Sequence, residues 1–361
     1  MVYDFLIVGA GFFGSTFARS VAEKGKKVLL VEKRNHIGGN CYTEKIEGIN
    51  VHKYGAHLFH TNDEKIWNFV NRFSKFIDYR HKVKVNFKNK VYSFPINLMT
   101  LSQVWGTNTP EEAKQRLASV KRCLGSNASL EEHAISAMGE ELYEIFIKGY
   151  TSKQWNKDPK KLPASIVKRI PIRLTYNEDY FADTYQGVPE DGYTRIFENM
   201  LDHPNISLET NTDFIVNKKE LTKCSNKIVY SGKIDEFYDY QLGELEYRSL
   251  RFENKILEGD YQGCSVMNYT EKEVPYTRIL EHKHFEKKES SKTVVTWEYP
   301  DAYNKNKIPF YPINDNKNNN LYNAYKKISK NIIFGGRLGK YEYKDMHQII
   351  ASAIHEANKV T

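Results

Sequence analysis

Three observations predict an α/β protein. A short apolar strand near the N-terminus breaks into Gly9, Gly11 and Gly14, a second strand near the C-terminus breaks into Gly335 and Gly336, and the middle alternates helix-capping signals with hairpin patterns. The predicted architecture is a Rossmann-like dinucleotide-binding domain built from both ends of the chain, with an inserted helical domain and an antiparallel β-sheet domain.

The opening unit is the most regular. Residues 3–8 (YDFLIV) read as a buried parallel strand, residues 12–24 carry helical spacing, Gly25 ends that helix, and residues 28–32 (VLLVE) form a second strand. Gly9, Gly11 and Gly14 fit G-x-G-x-x-G. The first permits a tight turn, the second lets backbone approach a pyrophosphate, and the third lets helix and strand pack closely. Amides at the helix N-terminus then favour phosphate. Glu32 ends the second strand 18 residues past Gly14, where a carboxylate accepts hydrogen bonds from an adenosine ribose.

The residues after Glu32 select the dinucleotide. KRNHIGGN places Gly38, Gly39 and Asn40 in a second tight turn that a plain NAD site does not need. The pattern resembles the extended fingerprint of flavoproteins related to glutathione reductase, amine oxidases and desaturases, which implies FAD. Near the C-terminus NIIFGGRLG, residues 331–339, is a strand broken by glycines and followed by helical spacing from Asp345. In that class such a segment returns to the first domain and closes over the flavin, with Arg337 in the turn.

The middle of the chain is less uniform. A helix is predicted within 62–76, and a hairpin over 83–94 turning near Asn89. Thr109 caps a helix that starts at Pro110, and Ser129 with Glu132 makes a capping box for the next. YTRILEHKHF and KTVVTWEYP form an antiparallel pair, and DNKNNN at 315–320 reads as a short polar loop. Pro163 and Pro171 bracket a basic loop with Lys168 and Arg169, and Arg173 just beyond, suited to an anionic ligand. The predicted division is a discontinuous FAD-binding domain over 1–80, 205–240 and 328–361, a helical domain over 98–178, and a sheet domain over 81–97, 179–204 and 241–327.

Composition excludes several classes. The 361 residues hold 40% hydrophobic side chains and 25 tyrosines, enough for a packed multi-domain enzyme. The 53 basic and 45 acidic residues give a formal charge of +8, but they are spread along the chain without a nucleic-acid motif. Cys41, Cys123, Cys224 and Cys264 lie far apart with no C-x-x-C pair, which predicts neither disulfide framework nor zinc site. With no leader pattern and no apolar run of spanning length, the reading is a cytoplasmic protein without membrane insertion.

On VGAGFFG, VEKRNHIGGN, HKYGAHLFHTN, IKGYTSKQW, LPASIVKRIP, LEYRSLRFE, VPYTRILEHKHF, PFYPIND and FGGRLGKYEYKDM, the chain resembles the bacterial UDP-galactopyranose mutases over essentially its whole length. The resemblance implies an isomerase that interconverts UDP-galactopyranose and UDP-galactofuranose through a covalent sugar adduct at N5 of reduced FAD. It also implies a homodimer, a cellular reductant, and a product destined for cell-surface polysaccharide.

Residue by residue, the resemblance assigns Arg169 and Arg278 to the diphosphate and His57 to the region beside the flavin. Trp155 assists closure of the basic loop, and Phe146, Tyr150, Thr151 and Asn268 meet uracil and ribose. Tyr180, Tyr311 and Tyr343 give hydroxyl hydrogen bonds to phosphate, and Arg248 and Asp345 match further substrate positions. Cofactor positions are Gly9, Gly11, Phe13, Gly14, Glu32, Gly39, Asn40, Phe59, Arg337 and Met346. His57 and His60 lie three apart, but no acidic or cysteine cluster adjoins them in sequence, so no metal is expected. Two alternatives remain open. One is an FAD-dependent oxidoreductase of the amine oxidase or desaturase type, which gives no reason for the paired arginines and tyrosines, and the other is a nucleotide-binding protein without catalysis.

Overall fold

The computed structural model describes residues 3–122, 129–168, 170–225, 227–286, 288–328 and 331–361. The chain divides into two compact units, Met1–Asp78, Asp183–Ser249 and Tyr303–Thr361 in the first, and Tyr79–Ala182 and Leu250–Ala302 in the second.

The first unit is built on five parallel strands in the spatial order Ile206–Glu209, Val28–Val31, Phe5–Val8, Ile228–Tyr230 and Ile332–Phe334. Phe5–Val8 and Val28–Val31 are unbroken apolar runs, as strands covered on both faces require. On one face Phe5, Ile7, Phe17, Val28, Phe197, Ile350 and Ala353 are fully buried in a single cluster, and on the other Leu6 and Leu29 meet Phe214 and Phe237. The helix Met346–Val360 lies against Phe12–Ala22, burying Ile349, Ile350, Ala353 and Ala357 at helical spacing. Each large side chain so buried contributes about 1.5–3 kcal/mol.

Residues 183–204, assigned to the sheet domain in the sequence reading, sit in this unit. Tyr185–Pro189 pairs antiparallel with both Phe59–Thr61 and Phe76–Ile77, and the helix Tyr193–Leu201 places Ile196, Phe197 and Met200 in the core. Residues 315–320 correct an expectation, because DNKNNN is no loop. Asp315 caps the helix Asn316–Lys326, accepting from the Asn318 N–H at 2.9 Å. The buried Asn318 side chain accepts the Glu246 N–H at 3.1 Å, so tertiary bonding overrides low helix propensity.

The second unit carries a sheet in which residues 250–258 of the strand Tyr247–Glu258 are followed in space by Lys292–Ala302, Arg278–Glu281, Val266–Tyr269, Val83–Phe87 and Lys90–Phe94. The expected hairpin turns at Lys88 and Asn89, both with positive φ, at 51° and 59°. Thr109 caps Pro110–Val120 and the Ser129–Glu132 capping box opens Leu130–Met138, as their sequences predict. The expected strand through residue 285 stops at Glu281. Its carboxylate accepts the N–H groups of Tyr261, Gln262 and Gly263, and Lys283–Glu286 turns helical.

Candidate active site

In the first unit the strand Phe5–Val8 leads into Gly9 at φ +98°, a conformation that favours glycine. A Cβ on Gly14 would stand 2.0 Å from the Gly9 carbonyl oxygen, and one on Gly39 would stand 3.1 Å from the Gly11 Cα. The Gly38 N–H donates to the Ala10 carbonyl at 2.9 Å, bonding the second glycine turn onto the first. Gly11 caps the helix Phe12–Ala22 without a side chain, which leaves its first amides open to an anion. Bare backbone on two adjoining turns is what a dinucleotide pyrophosphate needs, and at Gly11 and Gly39 each turn presents its Cα to the other with no side chain between them. The residues therefore fit a dinucleotide.

Glu32 is buried and accepts the Ala10 N–H at 2.8 Å and the Arg34 N–H at 3.0 Å. Arg34 donates to the Asn40 side-chain oxygen at 2.9 Å and lies over the Tyr54 ring. Phe13 packs where a Cβ on Gly335 would sit, 1.9 Å from its ring, so only glycine passes there. Arg337 donates from Nε to the Lys344 carbonyl at 2.8 Å, and its guanidinium covers the Tyr343 ring at 4.7 Å. Tyr343 adjoins Tyr311, whose strand partner is the buried Arg248. Met346 and Phe59 both belong to the hydrophobic cluster, Phe59 packing on Trp67 and Phe76.

His57 is held at both ends of its own segment. Its backbone N–H donates to His52 Nδ1 at 3.0 Å, and its Nδ1 lies 2.7 Å from the Gly55 carbonyl. A carbonyl only accepts, so Nδ1 carries the proton. Burial, reinforced by nearby Arg337, pushes the imidazole down to about 4, leaving it neutral with a lone pair on Nε2.

His60 is a different case. Its Nδ1 is 2.7 Å from the Asp183 carboxylate, and its Nε2 is 4.0 Å from Asp345 at the start of Met346–Val360. His60, Asp345 and His347 bring ligand atoms within 4.8 Å of one another, a grouping the sequence spacing did not reveal. It lies at the N-terminus of a long helix, whose dipole disfavours a cation.

In the second unit Arg278 is the organising residue. Its Nη2 donates to the Tyr150 hydroxyl at 2.9 Å, and its Nε is 3.0 Å from the buried Glu298 carboxylate. Burial raises the Glu298 carboxyl, and Arg278 only partly offsets this. Burial likewise pushes Tyr150 up to about 12, so it stays a phenol. Asn268 is the direct strand partner of Arg278, and its side-chain oxygen is buried with no hydrogen-bond partner among the described residues. A buried acceptor of this kind is open to a water or to a donor-bearing ligand.

Phe146 lies in a π-helical turn, Glu144–Lys148, stacked on Phe94 and edge-on to Tyr92. The helix Gly149–Trp155 comes next, with Tyr150 and Thr151 in its first turn and Trp155 at its end. Tyr180 packs beside His81, Phe94 and Phe181. Arg169 lies outside the described residues, and Arg173 is engaged by the Asp179 carbonyl. No sequence motif singles out Glu298. Lys153 stands four residues after Gly149 and therefore on the same helix face, but that spacing does not set it apart from a solvated lysine.

The chain matches known proteins in both sequence and fold. The family model described as "GLF: UDP-galactopyranose mutase" matches residues 145–343, and a model of an NAD(P)-binding Rossmann-like domain matches residues 7–73. The chain is 44% identical to "dTDP-fucopyranose mutase" of Escherichia coli, covering 97% of this chain and 96% of that one. It is 43% identical to "Probable UDP-galactopyranose mutase" of Klebsiella pneumoniae, covering 99% and 94%. A crystal structure of reduced UDP-galactopyranose mutase shares the fold, with a TM-score of 0.76 at 15% identity over 99% of this chain and 95% of that one. The family model over residues 145–343 and the identity of 43–44% over nearly the whole length of two relatives place this chain in the UDP-galactopyranose mutase family, a family of isomerases.

Proposed function

We propose that this protein interconverts UDP-galactopyranose and UDP-galactofuranose with reduced FAD as its cofactor. The observation that carries this reading is Arg278, a guanidinium preorganised by Tyr150 and Glu298 beside the open oxygen of Asn268. Breaking the sugar–diphosphate bond leaves negative charge on UDP, and a cation fixed in advance stabilises that charge without reorganising. When bound, reduced FAD supplies a nucleophilic N5 for the anomeric carbon, so the rearrangement needs no net oxidation.

The chain's own residues bind and orient. Gly9, Gly11, Phe13, Gly14, Gly39 and Asn40 form the pyrophosphate cradle, with Glu32 for the ribose, Arg337 and Met346 near the ring system, and Phe59 supporting from the core. Arg278, with Arg169 in the basic loop, holds the diphosphate, and Tyr180, Tyr311 and Tyr343 add hydroxyl donors. Phe146, Tyr150, Thr151 and Asn268 receive the nucleoside, Trp155 assists the loop, and Arg248 and Asp345 complete the substrate set. His57, neutral and unprotonated at Nε2, accepts a hydrogen bond beside the flavin. The family resemblance also supports a cytoplasmic homodimer, a cellular reductant for the flavin, and a role supplying galactofuranose to cell-surface polysaccharide.

A second reading has a specific basis, because the relative at 44% identity is named for a thymidine nucleotide of a 6-deoxy sugar. The test offers UDP-galactopyranose and dTDP-fucopyranose separately to dithionite-reduced protein and compares kcat/KM for furanose formation. A higher value for the uridine substrate supports the first reading, and a higher value for the thymidine substrate transfers the assignment to the second.

A further inference from the structure

Lys153 is the one residue of the GYTSKQW stretch whose charged end turns away from solvent into backbone. Its Nζ donates to three carbonyls, Tyr269 at 2.8 Å, Val274 at 2.9 Å and Tyr276 at 2.7 Å. An ammonium has three N–H bonds, and all three are used. The acceptors are the last residue of the strand Val266–Tyr269 and two residues of the segment joining it to Arg278–Glu281, and these strands carry Asn268 and Arg278 as direct partners at that end of the ladder. The same helix approaches the same segment at Gly149, where a Cβ would stand 2.0 Å from the Thr270 carbonyl oxygen.

Three contacts therefore fix one geometry. Gly149 permits close approach, Lys153 draws the connecting segment onto the helix, and Tyr150, between them in sequence, receives Arg278. Burial has pushed Lys153 down to about 8, with Glu271 and Glu273 of the segment opposing this. A buried ammonium is costly unless every proton is satisfied. Three N–H bonds spent on one stretch of neighbouring backbone point to a positional task.

We propose that Lys153 is a positioning residue that ties residues 270–277 to the helix Gly149–Trp155 and thereby sets Arg278 and Asn268 in register with Tyr150 for the nucleotide diphosphate. This rests on the reading of Arg278 as the diphosphate ligand. With all three N–H bonds of Lys153 given to backbone carbonyls, its removal acts through the residues it holds.

The experiment measures UDP affinity by calorimetry on the oxidised, FAD-loaded protein for wild type, Lys153→Met, Lys153→Arg, Arg278→Ala and the Lys153→Met/Arg278→Ala double variant. Lys153→Met should weaken UDP binding about tenfold or more, Lys153→Arg should stay within about threefold, and Lys153→Met should add almost nothing once Arg278 is gone. Flavin content should be unchanged in all of them. If Lys153→Met does not fold, Lys153→Gln, which keeps two donors, carries the same comparison. Equal UDP affinity in wild type and Lys153→Met, or fully additive losses in the double variant, overturns the proposal. Failure of the wild type itself to bind UDP overturns instead the reading on which it rests.

Discussion

Arg278 donates to the Tyr150 hydroxyl at 2.9 Å while its other edge is 3.0 Å from the Glu298 carboxylate, so one guanidinium is fixed by a half-buried phenol and a buried acid. Arg278→Lys keeps the charge and loses the planar fork, which fixes orientation. We expect kcat to fall on the order of 100-fold with flavin content unchanged, as for the loss of one preorganised electrostatic donor. Steady-state kinetics on the reduced protein checks this, and turnover near wild type would remove Arg278 from the diphosphate.

Gly14 gives a prediction about the cradle. A methyl there would stand 2.0 Å from the Gly9 carbonyl oxygen, backbone that cannot swing aside. Gly14→Ala should cost about 1–3 kcal/mol through forced backbone movement and lower the flavin absorbance of the purified protein. A variant with full flavin and an unchanged melting temperature would contradict the close packing of helix and strand.

His57 sets a dependence on pH. Its folded value is near 4, below the usual histidine value of 6.5, so between these the unfolded chain binds the proton more readily. This residue's contribution is therefore present above pH 6.5 and is lost as the pH falls towards 4. Urea unfolding of wild type should show decreasing stability across that window, and His57→Gln should flatten the slope. An unchanged slope would place the titrating group elsewhere.

Asp315 tests the helix that composition concealed. Its carboxylate accepts the Asn318 N–H at 2.9 Å. Asp315→Ala should cost about 1 kcal/mol and lower the melting temperature by about 2 °C, the usual loss of an N-cap. No change in a thermal scan would mean the cap contributes nothing there.

These residues also mark how far the sequence could be read. The strand–glycine turn–helix unit at the N-terminus and the helices capped by Thr109 and Ser129 were legible because each obeys local rules of turn, cap or period that need no distant partner. The helix Asn316–Lys326 was not, since its formation depends on Asn318 accepting the Glu246 N–H, a contact 72 residues away. The pairing of Tyr185–Pro189 with Phe59–Thr61 was hidden for the same reason. At the candidate site, motif matching supplied Arg278 and Tyr150 singly, and their bond, with Glu298 beneath it, required the fold. Lys153 was overlooked because a lysine reads as solvated charge until three carbonyls are seen around it.

The most direct measurement tracks UDP-galactofuranose by chromatography with the protein either dithionite-reduced or fully oxidised. Conversion to UDP-galactopyranose is expected with the reduced protein alone, over many turnovers, with the flavin still reduced at the end. A reduced protein that leaves the sugar nucleotide unchanged, while the oxidised protein consumes oxygen with an amine or alcohol, would contradict it.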